Sequence, residues 1–265
     1  MGAGRARITT QMAEVIEHPI PTSGLAGWPG AERRSPKRSD PHYLVLAPLA
    51  RQIEARLAEI ARHRTDLRVL DIGCGGKPYL PFVAPYAVSY CGIDSAPGPA
   101  VDLVVAAEQL PFDDESFDLV LCTQVLEHVQ DPRATIAEIH RVLAPGGGAL
   151  VSTHGVFLFH PDPPPSDQDY WRWTHAGLRK EFGRAGSWDS LQVEAAGNVV
   201  ACLAYITAQF VDEFGRRTGW LAFHRALLYA FNSIAERIDA RFPPRVRFPN
   251  AGSLSANYLV TAVKR

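Results

Sequence analysis

Four cysteines, Cys74, Cys91, Cys122 and Cys202, are all that this chain of 265 residues contains, and no two of them form a C-x-x-C pair. Their scatter argues against a disulfide framework and a structural zinc site, and it fits a reducing compartment. Net charge is also missing, since 27 basic residues stand against 28 acidic ones to leave −1. Nothing electrostatic therefore points to nucleic acid or a membrane surface as partner. The early basic cluster of Arg33, Arg34, Lys37 and Arg38 sits among Pro, Gly and Ser and reads as a solvated tail. Long apolar runs are absent too. The longest, Val199 to Ile206, is far short of the roughly 20 residues of a membrane span. With no basic-then-apolar leader pattern at the N-terminus, a cytoplasmic protein without a membrane span is expected.

What is present suffices for a full core: 46% of the residues are hydrophobic. Residues 1–40, rich in Gly, Pro, Ser, Thr and charge, read as a flexible arm. A helical pattern then begins, with Leu49, Ile53, Leu57 and Ile60 on one face, and Pro48 is expected to mark the start of its regular part. Strand-like runs follow at residues 68–72, 89–93, 103–105, 117–122 and 148–153. Helical segments separate them, the clearest at 132–143, with Asp131 as N-cap, Pro132 in the first turn and Pro145-Gly146-Gly147 as the stop. Such alternation implies a parallel sheet covered on both faces. A strand at 191–195, two apolar helices near 199–214 and 220–240, and a last strand at 258–263 complete the chain. The expected fold is α/β, a Rossmann-like three-layer sandwich over residues 41–265. Its seven-stranded sheet is mostly parallel with an antiparallel last strand, preceded by a helical insertion over 198–245.

The strongest local signal is Val69-Leu70-Asp71-Ile72-Gly73-Cys74-Gly75-Gly76, a buried strand running into a glycine-rich turn. Glycine allows positive φ and a close backbone approach to a ligand. A second strand ends in Gly92-Ile93-Asp94, placing a carboxylate 23 residues after Asp71, where nucleotide-binding α/β folds hold ribose hydroxyls. The third glycine of a dinucleotide fingerprint would fall at Pro78, so the cofactor should carry a ribose without a diphosphate bridge.

Four blocks in order, V-L-D-I-G-C-G-G-K-P-Y, G-I-D, L-P-F-D-D-E-S-F-D-L-V and V-L-E-H-V, closely resemble the class I S-adenosylmethionine-dependent methyltransferases over residues 67–153. The resemblance implies S-adenosylmethionine as cofactor. By it, Asp71, Gly73 and Gly75 cradle the methionine part and Asp94 holds the ribose. Ala107, Glu108 and Leu110 border the adenine, and Gln124 lines the methionyl side. Core packing is an equal reading for Leu110, Pro111 and Phe112, as a helix-start and packing pair is for Glu127 and His128. Many relatives carry an Asp where this chain has Ala106, so adenine recognition should be weaker or rearranged.

Methyl transfer to a hydroxyl requires alignment and a base. The loop after the fifth strand carries His154, His160, Asp162, Asp167, Asp169, Tyr170, Trp171, Arg172 and Trp173 at the sheet edge where ligands bind in such folds. His154 is the first candidate base, with Asp169 and His160 next. Tyr170, Trp171 and Arg172 are candidate acceptor contacts, and Thr174 a helix cap. His154, His160, Asp162, Asp167, Asp169 and His175 could also hold a divalent metal such as magnesium, although they match no fixed motif. The D-Y-W-R-W-T stretch and the late helices are similar to methyltransferases of bacterial polysaccharide and sugar pathways. That favours O-methylation of a sugar, glycan or related small metabolite. The alternatives are N- or O-methylation of a lipophilic natural product, with the late helices forming its pocket, or a noncatalytic cofactor-binding protein. The same apolar helices leave a homodimer open.

Overall fold

Alternation of side chains decides the layering. In the strand Leu67–Ile72 (β1), Leu70 and Ile72 enter one hydrophobic cluster while Leu67 and Val69 enter another on the opposite face. In Phe117–Thr123 (β4), Val120 and Cys122 likewise oppose Leu119 and Leu121. Strands buried on both faces read as near-continuous apolar runs, the mark of a covered parallel sheet. The computed structural model describes residues 20–21, 24–62, 64–160, 168–219, 221–241 and 254–265.

The other strands are Ala87–Asp94 (β2), Leu103–Val104 (β3), Leu143–His154 (β5), Trp188–Ala196 (β6) and Asn257–Lys264 (β7). Their order is β3-β2-β1-β4-β5-β7-β6. Neighbours from β3 to β5 pair parallel, and β7 runs antiparallel to both β5 and β6. The longer helices are Tyr43–Ala61 (α1), Pro132–Val142 (α2), His175–Ala185 (α3), Val199–Thr218 (α4) and Leu221–Arg241 (α5). This is the expected Rossmann-like sandwich, with α4 and α5 forming the expected helical insertion between β6 and β7. No described helix is long and apolar enough to cross a membrane.

Two caps form as the sequence indicates. Asp131 accepts from the backbone N–H groups of Arg133 (2.9 Å) and Ala134 (3.1 Å), and Thr174 accepts from that of Gly177 (3.0 Å). Three expectations need correction. Pro48 lies inside α1 rather than at its start. Burial of Leu44, Val45, Leu49, Ile53 and Leu57 along the helix outweighs the roughly 3 kcal/mol that an interior proline costs. At the far end of α2, the chain passes from Val142 into β5 without a turn. Pro145-Gly146-Gly147 instead forms an irregularity in the β4–β5 register, where Gly146 has φ 76°.

The third concerns the arm expected over residues 1–40, which is folded onto the body over 24–40. Leu25 and Trp28 pack on the cluster behind β1, and the Trp28 indole N–H donates to the carbonyl of Lys77 at 2.9 Å. Arg34, expected to be solvated, donates to the carbonyls of Trp28, Pro29 and Pro78. Arg38 pairs with Glu236 of α5 at 2.5 Å. The segment thereby braces the chain just beyond the glycine turn.

Candidate active site

The sheet order reverses between β1 and β4, and in open α/β sheets the crevice beyond the carboxyl ends at that point takes the ligand. A cleft of about 550 Å³ opens there, lined by Ile72 and Gly73 after β1, Asp94 and Ser95 after β2, and Val105, Ala106, Ala107 and Glu108 after β3. Gln124, Val125, His128 and Val129 after β4, with Gln130, Asp131 and Gln168, close the other side. Its volume is that of a pocket for a nucleoside-sized molecule.

Gly73 holds φ at 66°, and a Cβ there would sit 2.2 Å from Cγ2 of Val125, so only glycine fits the turn. Gly75, with φ 48°, donates its N–H to Oδ2 of Asp94 at 3.0 Å. Oδ1 of Asp94 accepts from the N–H of Ala96 at 3.2 Å. The carboxylate is thus fixed at the cleft wall with acceptor capacity left for a ligand. Gln124, at φ 60°, is tied to β5 by its own N–H on the carbonyl of Ser152 (2.9 Å) and its amide on that residue's hydroxyl (3.0 Å). A carboxylate at one wall, a glycine turn without room for side chains, and apolar Ile72, Val105, Ala107 and Val129 together fit an adenosyl cofactor.

Two expected cofactor contacts lie elsewhere. Asp71 is only 2% exposed, and its carboxylate accepts from the Tyr90 hydroxyl at 2.6 Å inside the sheet. Burial pushes its pKa up to about 7 against that hydrogen bond. Leu110 is packed in the core beside Phe112 and does not line the cleft, the alternative left open by the sequence. Ala107 and Glu108 do line it. Oε1 of Glu108 accepts from the N–H of Gln130 at 3.0 Å, so Glu108 bridges the two sides of the cleft. Cleft residues missed by the sequence reading include Ser95, Val105, Val125, Val129, Gln130 and Gln168. Only the contact between Val125 and Gly73 explains why that position matters, and it is a three-dimensional one.

Beyond His128 lies the loop expected to receive the acceptor. His154 is 1% exposed, with its ring stacked on Phe157 at 3.7 Å between centroids. Its Nδ1 lies 3.1 Å from Oε1 of Glu127, yet neither atom makes a hydrogen bond there. Burial, then the charges of His160, Arg172 and His128, bring the His154 pKa down to about 2. A neutral, enclosed ring of such low basicity is poorly placed to take a proton. Glu127 is fully buried, accepts from the Thr153 hydroxyl at 2.7 Å, and is pushed by burial up to about 7.

Arg172 and Asp169 form a clasp. Arg172 donates to both carboxylate oxygens of Asp169 (2.6 Å each) and to the carbonyls of Phe157, Leu158 and Trp171. Its donors are spent on the protein, which removes it as an acceptor contact. Burial works to raise the Asp169 pKa, but hydrogen bonds from Arg172 and the His160 N–H outweigh it and hold the carboxyl down at about 2. Trp171 is half-exposed, with its indole N–H on the carbonyl of Val129 (2.9 Å), and Tyr170 is exposed. His154, His160 and Asp169 bring one ligand atom each within 4.8 Å of one another. With Arg172 on both oxygens of Asp169, that group fits a cation poorly. Among the other metal candidates, His175 stands outside the group, and Asp162 and Asp167 lie outside the described residues.

A family model described as a methyltransferase domain matches residues 45–197. The ubiquinone biosynthesis O-methyltransferase of Pseudomonas aeruginosa is 38% identical over 101 residues, covering 32% of this chain and 44% of that protein. Its counterpart in Pseudomonas syringae pv. tomato is 35% identical over 107 residues at the same coverages. The chain therefore spans less than half the length of the curated relatives it matches. Two solved structures share the fold. The [4+2]-cyclase SpnF is 21% identical with a TM-score of 0.51, over 97% of this chain and 93% of that one. Haemonchus contortus phosphoethanolamine N-methyltransferase 2, solved with phosphomonomethylethanolamine and S-adenosylhomocysteine, is 18% identical with a TM-score of 0.52, over 92% and 60%. Since the family model spans more than half of the sequence and the cleft it encloses fits an adenosyl group, the chain belongs to the methyltransferase-domain family, whose cofactor is S-adenosylmethionine.

Proposed function

We propose that this protein transfers a methyl group from S-adenosylmethionine to a hydroxyl of a small acceptor that presents an apolar or aromatic ring. The observation that carries the reading is continuity: the cleft gripped by Gly73 and Asp94 runs to His128, whose ring meets that of His160 at 5.1 Å. Bound there, the cofactor supplies a methyl carbon made electrophilic by its sulfonium. Gly73 and Asp94 fix its position, and the apolar walls exclude water.

The acceptor class draws on two supports. The curated relatives are named for O-methylation in ubiquinone biosynthesis, not for carbohydrate chemistry. The outer loop exposes Val156, Leu158, Phe159, Tyr170 and Trp171, an apolar rim suited to a ring. A sugar could lie on the same aromatic surface, so the test includes both. Purified protein is incubated with methyl-labelled S-adenosylmethionine and either catechol or a methyl glycoside. Label is expected in catechol. Label only in the glycoside would move the acceptor to carbohydrates, and cofactor binding without transfer to either would support a noncatalytic binder.

A further inference from the structure

His128 lines the cleft together with Gln124 and Val125. Its Nδ1 lies 2.5 Å from the backbone carbonyl oxygen of Gln168. A carbonyl can only accept, so Nδ1 carries the hydrogen and the neutral ring keeps its lone pair on Nε2. No described group of the protein hydrogen-bonds Nε2. The residue is held from two other sides. Its backbone N–H donates to the carbonyl of Val125 at 2.8 Å, and the His160 ring stands edge-on to the imidazole at 67°. An imidazole in the wall of a ligand cleft, locked in one tautomer by a third group and with no described protein partner on its other nitrogen, has the makings of a general base. The neighbouring histidines are less suited: His154 is walled in by Phe157 and Glu127, and Nδ1 of His160 faces Asp169 at 3.6 Å.

Resting on the O-methyl transfer proposed above, we infer that His128 is the base of the reaction, acting through Nε2. As the acceptor oxygen bonds to the methyl carbon, the carbon–sulfur bond breaks and leaves a neutral thioether. The hydroxyl proton passes to Nε2, and the resulting imidazolium later returns it to water. The charged and titratable groups around this ring are Glu127 on its own turn, His154, His160 and the Asp169–Arg172 pair on the facing loop, and Asp131 at the cleft lip.

The test is His128→Asn in the full chain, because an asparagine amide can still donate to the Gln168 carbonyl but offers no basic nitrogen. Calorimetry with S-adenosylhomocysteine should still give saturable binding, since Gly73 and Asp94 are untouched, while labelled transfer to catechol falls on the order of 100-fold or more. Transfer within threefold of wild type would overturn the inference. Nitrogen-15 NMR of the wild-type imidazoles supplies a measurement that no folding defect can blur. An Nδ1-protonated His128 is expected, and an Nε2-protonated one overturns the assignment. Wild-type protein that methylates neither catechol nor a methyl glycoside defeats the O-methyl reading first, and the inference with it. Activity retained in His128→Asn defeats the inference alone.

Discussion

Alanine at position 73 should damage both the fold and the cleft, and the structure sets the size of the effect. Residue 73 sits at φ 66°, a left-handed conformation that costs a non-glycine residue about 1–2 kcal/mol. The added methyl would also sit 2.2 Å from Cγ2 of Val125, a stiff β-branched side chain. Overpacking of that kind costs about 1–3 kcal/mol. Gly73→Ala should therefore lose about 2–5 kcal/mol and lower the melting temperature by roughly 5–15 °C for a chain of this size. Gly75→Ala is the control. Its φ is also positive, at 48°, but nothing lies within 4 Å of the new methyl, so only the backbone cost of about 1–2 kcal/mol applies. In the double variant Gly73→Ala/Val125→Ala the collision disappears, and the protein should melt above Gly73→Ala alone, a non-additive result expected for touching residues. Thermal unfolding of the four proteins decides the matter. If Gly73→Ala melts no lower than Gly75→Ala, the contact with Val125 does not shape the turn and the reasoning is wrong.

Other outcomes follow from the buried charges. Arg172→Met leaves the carboxylate of Asp169, whose side chain has no exposed surface, without its cation, and should cost about 3–5 kcal/mol in denaturant unfolding. Adding Asp169→Asn should recover part of that loss. The Asp169 pKa is depressed to about 2 in the folded protein, so its share of stability is present above pH 4 and lost as pH falls towards 2. Asp169→Asn should flatten that acid limb. Glu127 behaves oppositely: burial raises its folded pKa to about 7, so its stability contribution is full below about pH 4 and is lost as pH rises through 7. Glu127→Gln should accordingly unfold at higher denaturant than wild type at pH 8 and match it near pH 4.

How far the sequence reaches depends on whether a signal is local. The glycine turn after β1, the carboxylate ending β2 and the caps at Asp131 and Thr174 rest on neighbours within a few residues, and each is found where the sequence puts it. The alternation of strand-like and helical runs likewise indicates the covered, mostly parallel sheet, whereas the order of its strands is set by crossovers between distant segments. What failed needed distant partners. Pro48 is carried inside α1 by burial against the insertion and the sheet, which no local propensity encodes. Asp71 reads as a ligand contact, but its carboxylate turns to the hydroxyl of Tyr90 on the adjacent strand. Arg172 looks free to meet an acceptor until three carbonyls from both sides of the loop are seen around it. His154 lies at the expected edge, and its enclosure by Phe157 and Glu127 comes from the fold of the following loop. His128 shows the reverse: its neighbours in sequence suggest packing, and the tautomer lock becomes visible only when Gln168, forty residues on, is placed beside it.

Calorimetric titration of S-adenosylhomocysteine into wild-type protein and Asp94→Ala tests the central claim most directly. Saturable binding to the wild type is predicted, with affinity falling roughly 10- to 100-fold in the variant, the size expected for losing hydrogen bonds to a charged acceptor. No binding by the wild type, or equal affinity in both proteins, would contradict the account.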